Sequence, residues 1–206
     1  MTLPLIIAIC GVKRCGKDTV ASYVCSKIDG SEHRKIAQPL KDVCASLFQF
    51  TKAQMEEDEK DAIDPKWGIT PRDAMKFVGT EMMQYKMQEL LPDIGRTFWI
   101  KQFISNISNI KQTKHIVISD MRFMHEYTML KAAFPTSIVI KIVKPTNAHA
   151  HTHAYMSTCQ NRQHEHEHDG HSSEQEWASI PEDVLIVNDG TISDLYKCVD
   201  KKVLMR

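Results

Sequence analysis

The feature that most constrains the fold is the stretch "GVKRCGKDT", residues 11–19, which directly follows an apolar run. Leu3 to Cys10 is continuously apolar, a pattern typical of a parallel strand that is buried on both faces. Two glycines bracket the loop, and a helical pattern begins near Lys17. A strand, a glycine loop and a helix in this order place backbone N–H groups around an anion at a helix start. The stretch therefore predicts a phosphate-binding loop in an α/β protein.

The loop also contains the first candidate metal ligand. Lys17 is placed to reach the β- and γ-phosphates of a nucleotide. The usual pattern G-x-x-x-x-G-K-[ST] has a hydroxyl after this lysine, but the residue here is Asp18. A carboxylate can bind Mg²⁺ directly or through water, although an acid in a first helical turn is also favoured by the helix dipole alone. The predicted nucleotide-binding residues of the loop are Gly11, Val12, Lys13, Arg14, Cys15, Gly16, Lys17, Asp18 and Thr19.

A second buried strand, "HIVISD", ends in another candidate metal ligand, Asp120. Open α/β sheets bind ligands at the carboxyl ends of their strands. If this strand lies beside the first, Asp120 faces the loop and can hold Mg²⁺ through water, while Arg122 can clamp a phosphate. The alternative is a strand-end turn with a surface cation. The predicted metal ligands are Asp18 and Asp120, and the predicted catalytic residues are Lys17, Arg14, Asp120 and Arg122.

Strands and helices alternate along the chain. Three further segments, "SIVIKIV", "DVLIVND" and the shorter "HRKIA", predict strands. Residues 51–71 are charged and predict an irregular connection, whereas residues 72–91 predict a single helix that stops at Pro92. This alternation is typical of a three-layer α/β fold around a parallel sheet. The length of 206 residues fits one such domain.

The balanced charge argues against nucleic-acid and membrane partners, and the cysteine pattern indicates the redox compartment. Lys plus Arg and Asp plus Glu number 26 each, so no global field favours nucleic acid or a membrane. The 6 cysteines form no C-x-x-C pair, which favours a reducing compartment. The apolar start lacks the basic segment and cleavage site of a signal peptide, and no run approaches the length of a membrane span. We expect a cytoplasmic protein that acts on a small molecule.

Seven blocks together resemble the bacteriophage-type deoxynucleoside monophosphate kinases. They are "GVKRCGKDT", "PLKD", "PRDAMKFVGTE", "FWIKQF", "VISDMRFMHE", "HSSE" and "VLIVNDGTISDLY", in the order of that family. The family normally has Asp after the loop lysine, so the resemblance makes Asp18 a family feature. It implies a P-loop kinase fold with a central parallel sheet, a helical acceptor-binding insertion and a lid. It also implies ATP and Mg²⁺ as cofactors and a deoxynucleoside monophosphate as substrate.

The resemblance further assigns segments and residues to these parts. It implies a single kinase domain over residues 1–206, acting as a monomer or homodimer, in the host cytoplasm if the source is viral. The segments are a core at 1–37, 110–145 and 180–206, an acceptor-binding helical region at about 38–109, and a His-rich lid at about 146–173. Lys41, Arg72 and Trp99 would lie near the acceptor, and Asn188, Asp189 and Gly190 would run beside the adenine.

Two segments depart from the family pattern. Met124 and His125 stand where many relatives have Pro-Asn, and most of the 10 histidines fall within the lid segment. Their spacing matches no closed zinc site, so a solvated insertion is favoured over a metal site. Arg162 is the only arginine in this segment, and we expect it to contact the transferring phosphate when the lid closes.

Two other functions remain open from the sequence. The animal-type phosphomevalonate kinases share the "GK-D" loop and the "SD-x-R" strand end, although "NDGT" and "GTE" favour the nucleotide kinases. A module that binds nucleotide without catalysis is the other alternative. Lys17, Asp120 and Arg122 argue against it, because simple binding would not need all three.

Overall fold

The computed structural model describes residues 5–56, 58–108, 115–145 and 176–205. The chain divides into two compact units, one of residues 1–34 with 110–206 and the other of residues 35–109. The predicted lid at 146–173, with Arg162, lies outside the described residues. Within the described ranges, no helix is both long and apolar enough to span a membrane.

The first unit is built on a five-stranded parallel sheet in the order β2-β3-β1-β4-β5. Every residue of β1 is buried, as expected for the central strand of a sheet covered on both faces. The predicted α/β fold class is therefore confirmed. The elements of this unit are β1 (Ile6–Gly11), α1 (Lys17–Lys27), β2 (Ser31–Arg34), β3 (His115–Ile118), α7 (Met124–Ala133), β4 (Ile138–Val143), a 3₁₀ helix (Glu176–Ser179), β5 (Val184–Val187), α8 (Ile192–Val199) and a final π-helical turn (Asp200–Leu204).

The register of β1 fixes which chain segments meet at the carboxyl edge of the sheet. Ala8 pairs with Ile118 of β3, and Gly11 pairs with Ile142 of β4. One face of the sheet packs against α1 and α8 in a single apolar cluster that includes Ile7 and Ile9. The 3₁₀ helix at Glu176–Ser179 contacts β1 and α7. The strand that ends in "SD" thus lies directly beside the strand that leads into the glycine loop.

Lys141 carries a buried charge within the sheet. Lys141 lies in the otherwise apolar β4 and is only 3% exposed. Its Nζ contacts Glu182 Oε2 at 2.7 Å and donates to the Ala178 carbonyl oxygen at 3.1 Å. These partners satisfy a charge that would otherwise be costly to bury. Lys141 therefore ties β4 to the segment that precedes β5.

The second unit is helical. Its apolar cluster joins Cys44, Phe50, Met55, Ala74 and Val78. The predicted helix over 72–91 is found as one continuous run, although its middle has π-helical rather than α-helical hydrogen bonding. The elements are α2 (Gln38–Phe48), α3 (Lys52–Glu56), a 3₁₀ helix (Asp58–Asp61), α4 (Pro71–Lys76), a π-helix (Phe77–Lys86), α5 (Met87–Leu90) and α6 (Phe98–Ser108).

Two details of the secondary structure differ from the sequence-based expectation. The predicted irregular connection at 51–71 contains α3 and a 3₁₀ helix. Thr51 and Gln54 start α3 by a reciprocal pair of side chain–backbone hydrogen bonds, the capping-box arrangement. The predicted strand "HRKIA" is shifted toward the N-terminus, because β2 ends at Arg34 where the chain enters the second unit.

Candidate active site

The glycine loop between β1 and α1 adopts a conformation that depends on its glycines. Gly11 and Gly16 have φ values of 147° and 102°, and Arg14 is also left-handed at 64°. A Cβ at Gly11 would collide with the Ile142 carbonyl oxygen of β4. A Cβ at Gly16 would lie 3.0 Å from the amide nitrogen of Asn188. The loop therefore passes close to its neighbours at two points where only glycine fits without strain.

Lys17 is the first residue of α1, and its ammonium group lies over the loop. Its Nζ donates to the carbonyl oxygens of Gly11 at 2.8 Å and Val12 at 2.7 Å. The Cys15 side chain is buried, and burial raises the pKa of its thiol. Cys15 can therefore offer only its backbone to a ligand, whereas the exposed Lys13 and Arg14 can offer cations. The arrangement of a loop, a helix start and a lysine can bind a polyphosphate.

Asp18 belongs to a hydrogen-bonded chain that joins three elements. Ser119, directly after β3, donates from Oγ to Asp18 Oδ1 at 2.7 Å. His33 Nε2 of β2 lies 2.8 Å from the same Ser119 Oγ and 3.8 Å from Asp18 Oδ1. The Asp18 side chain nevertheless remains 67% exposed, and Thr19, which follows it, is half-buried. Sequence reasoning missed Ser119 and His33.

The segment that carries Asp120 and Arg122 is held by a buried acid, Glu126. Glu126 Oε2 accepts hydrogen bonds from the backbone N–H groups of Arg122 at 2.7 Å and Phe123 at 3.0 Å. The pKa of Glu126 is raised to about 8: burial raises it most, these N–H donors and the charge of Arg122 lower it, and the charge of Asp120 raises it. Asp120 itself is half-buried and Arg122 is exposed. The sequence signal for Glu126 is an acid at the third position of α7, where it reaches back to the helix start.

Asn188 is placed against the glycine loop. Its backbone N–H donates to the Val143 carbonyl oxygen at 2.8 Å, and its Nδ2 donates to the Cys15 carbonyl oxygen at 2.9 Å. Sequence reasoning predicted Asn188 beside an adenine, together with Asp189 and Gly190, which are exposed here. The side chain of Asn188 joins the strand after β4 to the loop, so it can hold the loop in its binding conformation.

The second unit brings together a cluster of cations. Lys41 Nζ lies 3.2 Å from Glu56 Oε1, and Arg72 forms a two-point ion pair with Asp61. The pKa of Lys60 is lowered, first by burial and then by its neighbouring cations, with Glu56 opposing. The sequence analysis predicted Lys41 and Arg72 of this cluster but missed Lys35, which follows β2, and Lys60, which lies in an acidic run. The members are Lys35, Lys41, Lys60 and Arg72.

Trp99, the third residue predicted near the acceptor, is buried in the second unit. Its exposed fraction is 9%, and its indole N–H donates to the Gly79 carbonyl oxygen at 3.1 Å. A Cβ at Gly79 would collide with Leu40, so this glycine also lets α2 approach the π-helix. Trp99 therefore has a packing role in the structure, and its contact with an acceptor stays a prediction.

A parallel sheet with a glycine–lysine loop between its central strand and the next helix defines a P-loop nucleotide-binding protein. The deoxynucleotide monophosphate kinase family model matches residues 5–67 of the chain. A curated protein of Acanthamoeba polyphaga mimivirus, provisionally named a deoxynucleotide monophosphate kinase, is 29% identical over 207 residues. That alignment covers 95% of this chain and 96% of the mimivirus protein. The predicted resemblance to this kinase family, and the predicted phosphotransferase class, are confirmed by these two findings.

Solved structures of similar chain path include two other kinases. A gluconokinase from Sinorhizobium meliloti 1021 is 9% identical with a TM-score of 0.45, over 96% of this chain and 90% of the other. A dephospho-CoA kinase from Campylobacter jejuni is 12% identical with a TM-score of 0.46, over 97% and 96%. At this level of similarity, the sheet order and the loop geometry of the chain itself define the fold.

The buried Glu126 predicts a pH-dependent stability. Between its ordinary pKa of 4.5 and its folded pKa of about 8, the folded protein holds a proton that the unfolded chain releases. The free energy of unfolding therefore falls as the pH rises through this window, by up to about 1.4 kcal/mol per unit. Glu126→Gln keeps the acceptor oxygen but cannot ionise, so it should flatten this slope in urea unfolding between pH 5.5 and 8.5. The exposed Asp29→Asn serves as the control, and parallel slopes for wild type and Glu126→Gln would contradict the prediction.

The position of Asn188 predicts an effect on phosphate binding rather than on base recognition. Asn188→Ala removes one hydrogen bond to the loop, worth about 1 kcal/mol, so binding should weaken about fivefold. Calorimetry should show this loss equally for ATP and for inorganic tripolyphosphate, with Ser193→Ala in α8 as the control. A loss for ATP with unchanged tripolyphosphate binding would instead support the predicted place beside the adenine.

Proposed function

We propose that the protein transfers the γ-phosphoryl group of ATP to a deoxynucleoside 5′-monophosphate, giving the diphosphate for nucleotide biosynthesis. The observation that carries this proposal is the strained glycine loop with Lys17 Nζ held over it, 2.7 and 2.8 Å from two loop carbonyl oxygens. The matching family model and the similar mimivirus protein both bear the name deoxynucleotide monophosphate kinase, which supports this acceptor over phosphomevalonate.

The candidate cation site fits Mg²⁺ better than a metal held by the protein alone. Within the part of the chain that the structure describes, no three His, Cys, Asp or Glu residues form a group that could hold a metal. Mg²⁺ usually keeps several waters and binds through one or two carboxylates plus substrate phosphates. The exposed Asp18 carboxylate beside the loop, with Asp120 as the second predicted acid, suits such an ion. When bound, Mg²⁺ would neutralise charge on the phosphates.

The transfer needs no protein nucleophile, because an oxygen of the acceptor phosphate attacks the γ-phosphorus in line. The chain contributes position and charge: Lys17 and Arg14 on the loop, and Arg122 on the segment held by Glu126. Cys10 of β1 and Cys15 of the loop are poor nucleophiles, since burial raises the pKa of Cys10 to about 12 and also raises that of Cys15. Arg162 remains a predicted further cation for the transferring group.

The cation cluster of the second unit supports an anionic acceptor. Glu56 and Asp61 pair with Lys41 and Arg72, and Lys35 and Lys60 add two further cations to the cluster. Burial first, and then the charges of Lys41, Lys35 and Arg72, lower the pKa of Lys60. Such a cluster is stabilised by a phosphate monoester, which Arg can bind through two parallel hydrogen bonds. We therefore assign the acceptor phosphate to this cluster.

A coupled assay of ADP release over a panel of deoxy- and ribonucleoside monophosphates and phosphomevalonate tests the activity. We expect release with at least one deoxynucleoside monophosphate and none with phosphomevalonate. Lys17→Ala should lower kcat by 100-fold or more, on the order of 3 kcal/mol of lost transition-state stabilisation. Lys27→Ala, at the exposed end of the same helix, should keep full activity. Folded wild-type protein that is silent over the whole panel would show a non-catalytic binding module instead.

The acceptor assignment predicts a separate kinetic effect. Lys60→Met and Arg72→Ala each remove a charge-assisted contact, so the KM for the acceptor should rise about 10-fold or more. The KM for ATP should change less than twofold, because the cluster would not contact the donor. Lys86→Ala removes an exposed cation of the same unit and provides the matched control. Equal changes in both KM values would place the cluster outside the acceptor site.

A further inference from the structure

In this chain a carboxylate follows the loop lysine, and a hydroxyl from the neighbouring strand contacts it. In P-loop proteins, Mg²⁺ is commonly held by a Ser or Thr after the loop lysine and by an Asp at the end of a neighbouring strand. Here Asp18 follows the lysine, and the residue that contacts it from the neighbouring strand is Ser119. We propose that Asp18 and Ser119 together form the cation site with their roles exchanged, and that His33 is a positioning residue for both. This inference rests on the proposed function.

The hydrogen-bond directions support a site that is oriented before a cation binds. A carboxylate can only accept, so the Ser119 hydroxyl donates to Asp18 Oδ1 across 2.7 Å. The Ser119 oxygen is then available to accept from His33 Nε2 at 2.8 Å. Ser119 is 2% exposed, so its hydroxyl has little water to compete for these bonds. One oxygen of Asp18 is thereby fixed while most of its side chain stays accessible.

The neighbouring Asp120 does not take the place of Ser119 in this contact. Consecutive residues in an extended chain point to opposite faces of a sheet. Ser119 follows β3 and points toward α1, where Asp18 lies, whereas the charge of Asp120 acts on Glu126 beside α7. The sequence-based expectation that Asp120 faces the loop stays a prediction, while Ser119 is the residue of this strand end that contacts Asp18.

The position of His33 explains how the exchange is maintained. A Ser hydroxyl can rotate, and without a second partner it could donate elsewhere. His33 comes from β2, pairs with Val117 in the sheet register, and so lies on the same face as Ser119. Its Nε2 holds the Ser119 oxygen as an acceptor, which directs the hydroxyl hydrogen toward Asp18. Loss of this bond should loosen Asp18 without removing any group that contacts phosphate.

Calorimetric binding of a non-hydrolysable ATP analogue to the full chain, with Mg²⁺ and with EDTA, tests the exchange. The measured quantity is the gain in affinity that Mg²⁺ provides. We expect this gain to be smaller by about tenfold or more in each single variant. Asp18→Ser removes a hydrogen bond to a charged group, and Ser119→Asp places two acids together. The double variant Asp18→Ser with Ser119→Asp restores the usual arrangement and should recover most of the gain. In EDTA, the double variant should bind within about twofold of wild type, since it keeps the loop, Lys17 and the number of carboxylates.

A second pair of variants tests His33 by a conservative rescue. His33→Phe should lower the Mg²⁺-dependent gain several-fold, whereas His33→Gln, whose amide can donate from a similar position, should keep it. His115→Phe removes a histidine at the opposite end of the adjacent strand, where it accepts from the Leu5 N–H, and serves as the control. Ser119 is buried, so Ser119→Asp can fail to fold. In that case the two His33 variants alone test whether His33 and Ser119 position Asp18.

The outcomes separate this inference from the proposed function. Wild-type protein that does not bind the analogue at all would overturn the proposed function. The exchange alone would be overturned if Mg²⁺ clearly increases the affinity of wild-type protein and increases it equally in Ser119→Ala and in His33→Phe. Recovery in the double variant together with rescue by His33→Gln is the result that supports it.

Discussion

The candidate active site depends on the central position of β1 in the sheet. Because β1 is buried along its whole length between β3 and β4, its end delivers the glycine loop to the carboxyl edge. The loop approaches β4 so closely that a side chain at Gly11 would collide with Ile142. The strands on either side of β1 therefore determine both the shape of the loop and the residues that surround it.

The loop is supported from both sides of β1, but by different chemistry. On the β4 side, Asn188 donates to the Cys15 carbonyl oxygen and so fixes the backbone of the loop. On the β3 side, Ser119 donates to Asp18 and so fixes a side chain at the start of α1. Backbone N–H groups and the Asp18 carboxylate are the two parts that a nucleotide–cation pair would need. Each part is thus oriented by a separate hydrogen bond before any ligand arrives.

The sequence predicted the elements of the site better than the side chains that complete it. The apolar runs of β1, β3 and β4 and the glycine loop follow from local composition, so the fold and the place of Lys17 could be predicted. Ser119 could not, because local spacing does not show that its hydroxyl reaches Asp18, 101 residues earlier in the chain. Asn188 was recognised as a site residue, but its contact with the loop depends on a register between strands.

The second unit was harder to predict for a related reason. Lys60 lies in an acidic run, where a lone lysine resembles a solvated surface charge. Its significance comes from its approach to Lys41 and Arg72, which is a result of packing among α2, α4 and the 3₁₀ helix. The start of α3 was missed although Thr51 and Gln54 have the capping-box spacing, since the charged residues around them favoured a connection.

Because Glu126 is protonated, it can lie buried near the proposed phosphate site without adding negative charge there. An ionised carboxylate beside Asp120 would add negative charge where a polyphosphate is proposed to bind. A pKa of about 8 leaves Glu126 mostly neutral at pH 7, while its oxygen still accepts from the N–H groups of Arg122 and Phe123. The segment is therefore anchored without a second charge, and the field of Arg122 is not cancelled by its own support. The same burial that raises the pKa of Glu126 thus preserves the positive potential that the proposed reaction requires.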